Sequence, residues 1–341
     1  MRIIILVYFF LGWSILSAQK RPNIFPEDIE TSTLNIKPLS QPGVKNKSRS
    51  RGLDIAYHFL GNSTLEPEDQ PLSLPFSKIQ SIQGLTFKLR LPIINQKAFK
   101  LILGYSYRPE WYHFERFGAD FEDVFRNLNQ RLLKSNSFSI SMSKPLNEKY
   151  YTAFRFRLMY NGDYDQWINF HERYAIYNGV GLFGIKRNSK LEWGFGVNYS
   201  NSFRRTILLP FVFYNQNFSD KWGIEAILPS NIYFRYNPKM YSILLTGIEY
   251  NSRSYSMDVQ SDRPEFSGIY NMNHSELRLI VSWERRLIPW LWLNIKGGFQ
   301  LNFSTDFDAV QMDGTSFNVE PINTPFLQIG LFISPPDSFL N

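Results

Sequence analysis

The chain has 341 residues, 17% of them aromatic, no cysteine and a formal net charge of +7. The missing cysteine excludes thiol nucleophiles, disulfides, cysteine-ligated zinc or iron–sulfur centres and a lipid-acceptor cysteine. A mean hydropathy of −0.27 with 20% charged residues argues against a bundle of membrane helices, whereas abundant Phe, Tyr and Trp suit the girdles and outward wedges of a membrane-spanning β-barrel.

The N-terminus reads as an export signal. Arg2 precedes an apolar run from Ile3 to Leu16, followed by Ser17-Ala18-Gln19. This is the order charged, apolar, small residue, in a run too short for a spanning helix. Residues 1–18 are therefore expected to be removed, giving a mature chain that starts at Gln19. Residues 19–50 hold Pro22, Pro26, Pro38 and Pro42, end in the basic stretch Lys45 to Arg51 and keep no period. They are expected to form a periplasmic tail without regular structure, the alternative being a plug in a barrel lumen. An exported chain with no clustered basic helix gives no reason to expect a nucleic-acid partner.

From Gly52 onward the period is two. Leu53, Ile55, Tyr57 and Phe59 alternate with Asp54, Ala56 and His58, and Leu85, Phe87, Leu89 and Leu91 alternate with Thr86, Lys88 and Arg90. The dyad recurs through Phe99–Arg108, Phe154–Tyr160, Leu191–Tyr199, Leu277–Glu284 and Leu291–Asn302. One row is large and apolar; the other is Gly, Ser, Asn and charge, as lipid-facing and lumen-facing rows demand. Short polar links near 92–97, 144–149, 186–190, 215–221, 237–239 and 286–289 alternate with longer ones near 61–79, 114–134, 161–172, 258–272 and 304–322. Short turns belong on the periplasmic side and long loops outside. The expected fold is all-β: one antiparallel transmembrane barrel over residues 51–335 with about 14 strands (12 as the alternative) and a C-terminal tail at 336–341. The count includes a tight hairpin at Leu228-Pro229-Ser230.

The signal, the dyads and the closing strand Phe326 to Ser334 resemble outer-membrane β-barrel proteins of Gram-negative bacteria. The segment Trp222 to Tyr236 resembles one in an uncharacterised barrel family, a domain of unknown function. The resemblance implies an outer-membrane location, insertion by the barrel-assembly machinery, contact with outer-membrane lipid and lipopolysaccharide, and no reaction. The chain departs from many such barrels by ending Ser338-Phe339-Leu340-Asn341 rather than on an aromatic residue.

No catalytic, metal or cofactor set emerges. His58, His113, His171 and His274 have no ligand spacing. His274 beside Ser275 and Glu276 suggests an outer-membrane lipid hydrolase as a third reading, but neighbours on a strand point to opposite faces. Asp306, Asp308 and Asp313-Gly314 match only the start of a calcium loop. Loop acids Glu66, Glu68 and Asp69, or Asp120, Glu122 and Asp123, are generic surface groups. The row with functional content is the inward one: Lys88, Arg90, Lys100, Arg108, Arg155, Arg157, Arg235, Arg278 and Lys296 against Glu192, Glu225 and Glu284, with Glu249 and Arg253 of ambiguous parity. Tyr151, Tyr177, Phe183 and Tyr233 are aromatic lumen candidates. An excess of lumen cations favours anions in a wet pore, so the expected function is a passive pore or transporter for an unidentified small solute. The alternative is a closed structural or interaction barrel working through its loops.

Overall fold

The computed structural model describes residues 42–67, 77–118, 121–203, 205–311 and 315–334. The expected signal peptide, the tail up to residue 41, the C-terminal tail and the loop residues Glu68, Asp69, Asp120, Asp313 and Gly314 lie outside them. The strands are β1 (Leu53–Leu60), β2 (Ser63–Pro67), β3 (Ser77–Asn95), β4 (Lys100–Arg116), β5 (Leu133–Pro145), β6 (Tyr150–Gly162), β7 (Ala175–Lys186) and β8 (Leu191–Asn201). They continue as β9 (Thr206–Asn217), β10 (Trp222–Leu228), β11 (Asn231–Lys239), β12 (Ser242–Val259), β13 (Gly268–Ile288), β14 (Leu291–Ala309), β15 (Phe317–Pro321) and β16 (Thr324–Ile333).

From β2 to β15 consecutive strands pair antiparallel, β1 pairs with β3 and β16 with β14, and β1 pairs with β16 to close the ring. β2 continues the line of β1 after Gly61-Asn62, because β3 pairs Ile82 with Leu60 and then Ile79 with Ser63. In the same way β14 holds Val319 of β15 and Thr324 of β16 in one line. The wall is thus a closed antiparallel barrel of 14 strands, and the turn at Pro229-Ser230 separates β10 from β11 as expected.

Alternation decides which way each side chain points. Along β1, Ile55, Tyr57 and Phe59 are exposed while Asp54, Ala56, His58 and Leu60 are buried. Phe154, Phe156, Trp193, Phe195, Val197, Leu279, Val281 and Leu331 extend the same apolar exterior. Two aromatic expectations fail here. Tyr177 is level with Leu158, and Phe183 with Thr152, on the outer face; the Phe183 ring stacks on Tyr150 at 5.6 Å. Gly179, Gly181 and Gly184 interrupt β7, so that strand carries no continuous apolar row from which to set its phase. Tyr151 and Tyr233 do point inward, bonding to Glu192 and Glu249 respectively.

Several segments expected to be long extracellular loops are instead strand. β12 runs to Val259, β13 begins at Gly268, β14 runs to Ala309, and β2 and β15 occupy the other two. In this upper storey the polarity inverts: Tyr255, Met257, Tyr270, Met272, Phe307 and Val319 are buried inside, and Ser254, Asn271, Asn273, Asp306 and Asp308 take the other face. Helix α1 (Glu122–Gln130) folds over this interior. Glu122 and Asp123 sit in its first turn, where the helix dipole favours acids, and Val124, Phe125 and Leu128 are buried. Its neighbour Phe121 stacks on Phe317 at 3.8 Å, and Phe307 stacks on Phe317 at 4.7 Å.

The upper storey is narrower than the barrel beneath. β12 leaves the line of β11 and meets β6 directly, Ser256 opposite Gly162. The Asn161 amide donates to the Ser254 carbonyl at 3.0 Å, and the Asp258 N–H to Asp163 at 3.0 Å. Gly162 is required there, since a side chain would strike the Ser256 carbonyl and the Tyr174 ring.

Candidate lumen site

Inside the ring lies a cavity of about 390 Å³. Its charged lining is Arg49, Arg51, Lys88, Arg90, Arg108, Arg253, Arg278 and Lys296, eight cations, against two acids, Asp54 and Glu249. His58, Thr86, Asn251 and Gln328 complete it. Apart from Arg49 and Arg51, which precede β1, the charges come from β1, β3, β4, β12, β13 and β14 by the dyad, since a charge on the lipid face would cost about 2–4 kcal/mol at mid-depth.

The cations fall into two groups. Arg253 is clamped between Glu110 at 2.9 Å and Glu276 at 3.3 Å. Arg278 adds a contact to Glu276 at 2.9 Å, and Arg108 one to Glu110 at 3.5 Å. The Tyr255 hydroxyl also donates to Glu110. Both acids are 1% exposed. Desolvation offsets much of the Coulomb gain in such a cluster, but removing one partner strands the rest. Lys296 meets Glu249 at 2.6 Å. Lys88, Arg90, Arg155 and Arg157, by contrast, form no salt bridge among the described residues. Arg155 and Arg157 lie on β6 in the field of Arg90. The strands between them present Gly104, Ser106, Ser139 and Ser141 inward, side chains too small to separate the charges.

The three expected acids sit at the end of the barrel that carries the short turns and share one partner, residues 43–51. The Gly43 N–H donates to Glu192 at 2.8 Å. Ser48 gives Glu225 its N–H at 2.9 Å and its hydroxyl at 2.5 Å. Arg51 meets Glu284 at 2.5 Å and Asp54 at 2.9 Å. Asn217 and Asn237 donate to the carbonyls of Lys45 and Asn46, and Arg49 lies over the Trp292 ring at 5.2 Å. Arg235 neutralises Glu225 from behind at 2.8 Å. Lys100, the first residue of β4, belongs to this lower rim and not to the cavity. Residues 42–51 carry no helix or strand, yet they are strapped across the wall from β8 through β9, β10 and β11 to β13 and β14.

Sequence reasoning missed Arg49, Arg51, Glu110 and Glu276. The last two were accessible to it, since Glu110 shares the parity of Arg108 and Glu276 that of Arg278. The strap contacts had no local signal, because their partners are remote in sequence. Glu249 and Arg253, of ambiguous phase in the sequence, both face inward. The His274 ring bonds to Thr305 at 2.8 Å and Glu276 at 3.0 Å, whereas Ser275 meets Ser304 at the other face, so nucleophile and base stay apart.

Residues 53–333 match the family described as a domain of unknown function, DUF6268. The chain belongs to this family. No curated protein matches it. Among solved structures, a FadL homologue of Pseudomonas aeruginosa aligns at 8% identity and TM-score 0.42, covering 83% of this chain and 90% of that one. The NanC porin aligns at 8% identity and TM-score 0.35, covering 83% and 99%. The outer-membrane protease OmpT of Escherichia coli aligns at 9% identity and TM-score 0.23, covering 85% and 99%. The DUF6268 segment here is a closed antiparallel β-barrel of 14 strands, and its 281 matched positions run from β1 to β16.

Proposed function

We propose that this DUF6268 barrel is inserted by the barrel-assembly machinery into a Gram-negative outer membrane, among lipopolysaccharide, and passes small anionic solutes through its lumen. The observation that carries the reading is that, among the described residues, Lys88 and Arg90 line the cavity without a salt bridge and Arg155 and Arg157 stand beside them without a carboxylate, whereas Arg51, Arg108, Arg253, Arg278 and Lys296 are paired with acids. Low-dielectric walls focus the field of such an excess and raise the local concentration of anions. Planar-bilayer recording of the purified protein tests it. The intact barrel should conduct with a preference for anions. Arg155→Ser with Arg157→Ser should lower the anion-to-cation permeability ratio, with less effect near 1 M salt, where the Debye length is about 3 Å. A barrel without reproducible conductance overturns the proposal and leaves a closed, loop-presenting barrel, a reading that the packed upper storey and the Glu110–Arg253–Glu276 cluster favour.

A further inference from the structure

The wall has a notch. β9 runs from Thr206 to Asn217, but β10 pairs only with Val212 to Asn217. Thr206 to Phe211 bond to β8 on one edge and to no strand on the other, among the described residues. Across the notch, the Tyr250 N–H of β12 donates to the Ser230 carbonyl at 2.8 Å as the last link to the β10–β11 hairpin. β12 regains a neighbour only where Ser254 and Ser256 reach β6. The floor of the notch is the Pro229-Ser230 turn.

Strand length places this gap inside the membrane. β10 has seven residues, fewer than the roughly 9–11 a tilted strand needs to cross the apolar core. It starts at the Trp222–Tyr236 stack on the periplasmic side, so its far end stops short of the opposite interface. Bare strand edges are not tolerated against lipid, and persist at that depth only where they are buried in protein or line a water-filled cavity. Pro210 lies on this edge, a residue that discourages strand addition by another chain. The lumen behind the edge is apolar: Leu209 and Ile227 point inward and are 41% and 44% exposed. Level with Leu209 on the same wall, through Asn198 and Val180, stands Arg155. Three strand spacings make that separation about 14 Å.

We propose that the notch between β9 and β12 is a lateral portal joining the lumen to the outer leaflet, used by a single-chain amphiphile whose anionic head meets Arg155 and Arg157 while its apolar chain lies on Leu209 and Ile227. This deepens the anion-path reading and rests on it for the head group alone.

The absence of cysteine makes the test direct. Leu209→Cys carrying an NBD fluorophore, in liposomes, should be quenched both by doxyl-labelled lipid and by aqueous iodide. Val180→Cys, inward on a strand paired along both edges, should respond to iodide only, and Val197→Cys, outward, to lipid only. A Leu209 label that behaves like the Val180 label overturns the portal. With a dansylated eleven-carbon carboxylate as probe, the Arg155→Ser/Arg157→Ser barrel should bind about tenfold more weakly, the scale of one charge-assisted hydrogen bond, while the neutral amide of the same probe is unaffected. Equal binding of carboxylate and amide to the intact barrel overturns the ligand class. Dual quenching at Leu209 in a barrel that shows no ion conductance upholds the portal and overturns the through-path.

Discussion

The same strands obey opposite rules at two heights. In the membrane belt β12 and β13 turn Ile248, Leu279 and Val281 outward and Glu249 and Arg278 inward; one storey higher they turn Ser254 and Asn273 outward and Tyr255 and Met272 inward. β12 and β13 keep one pairing register through both heights, with a bulge of β13 against β14 at Ser275–Glu276. The solvent outside changes, from hydrocarbon to water, and the polarity follows. A buried charge cluster marks the crossing, where Arg253 holds Glu110 and Glu276.

That junction is where the comparison breaks most readily. Arg253→Met leaves two buried carboxylates without their shared cation and should destabilise the barrel by about 3–5 kcal/mol, read as the urea midpoint of refolding in liposomes. Arg253→Lys, which retains the charge, should recover part of the loss.

Within the belt the two faces can be set against each other. Phe156→Arg puts a charge against lipid and should cost about 2–4 kcal/mol, whereas Arg157→Ser, one residue along and facing the lumen, should cost less. Equal losses would mean that the lumen sector near β6 is packed solid.

The strap gives a smaller effect. Glu225→Gln keeps the shape but weakens the hold on Ser48 and Arg235. It should speed proteolysis between residues 43 and 51 from the periplasmic face and raise single-channel conductance, with the barrel's heat-modifiable migration unchanged.

The smallest effect belongs to the upper storey. Hydrogen bonds from Ser261, and then Arg263, hold the Asp123 carboxyl below its ordinary range. The contribution is therefore full above about pH 4 and lost as pH falls through the lowered value. Hydrogen exchange of α1 should rise on acidification below pH 4 by only a small factor, since the pair is largely solvated, and Asp123→Asn should remove that dependence.

How much of this was legible follows from the same inversion. In the belt each strand announces itself: Leu53 to Phe59 or Leu191 to Tyr199 can only alternate one way, so strand count and the Pro229-Ser230 turn could be read from the chain. Above the membrane Tyr255, Met257, Tyr270 and Met272 alternate in the reversed phase, and a reader expecting lipid outside takes 258–272 for a loop. Tyr177 and Phe183 failed for a local reason, because the glycines of β7 erase its phase. The strap and the notch were invisible because each exists only through register between distant segments: Ser48 with Glu225, or β9 extending past β10.

Arg51 and Glu284 stand 233 positions apart in the chain. Residues 43–51 precede the whole wall in the chain, yet the carboxylates that anchor them across the ring belong to β8, β10 and β13. The strap must stay undocked until nearly the whole circumference has been laid down. Its seating then reports that the circle is complete, which makes protection of Ser48 and Arg51 a clock for the final step of assembly.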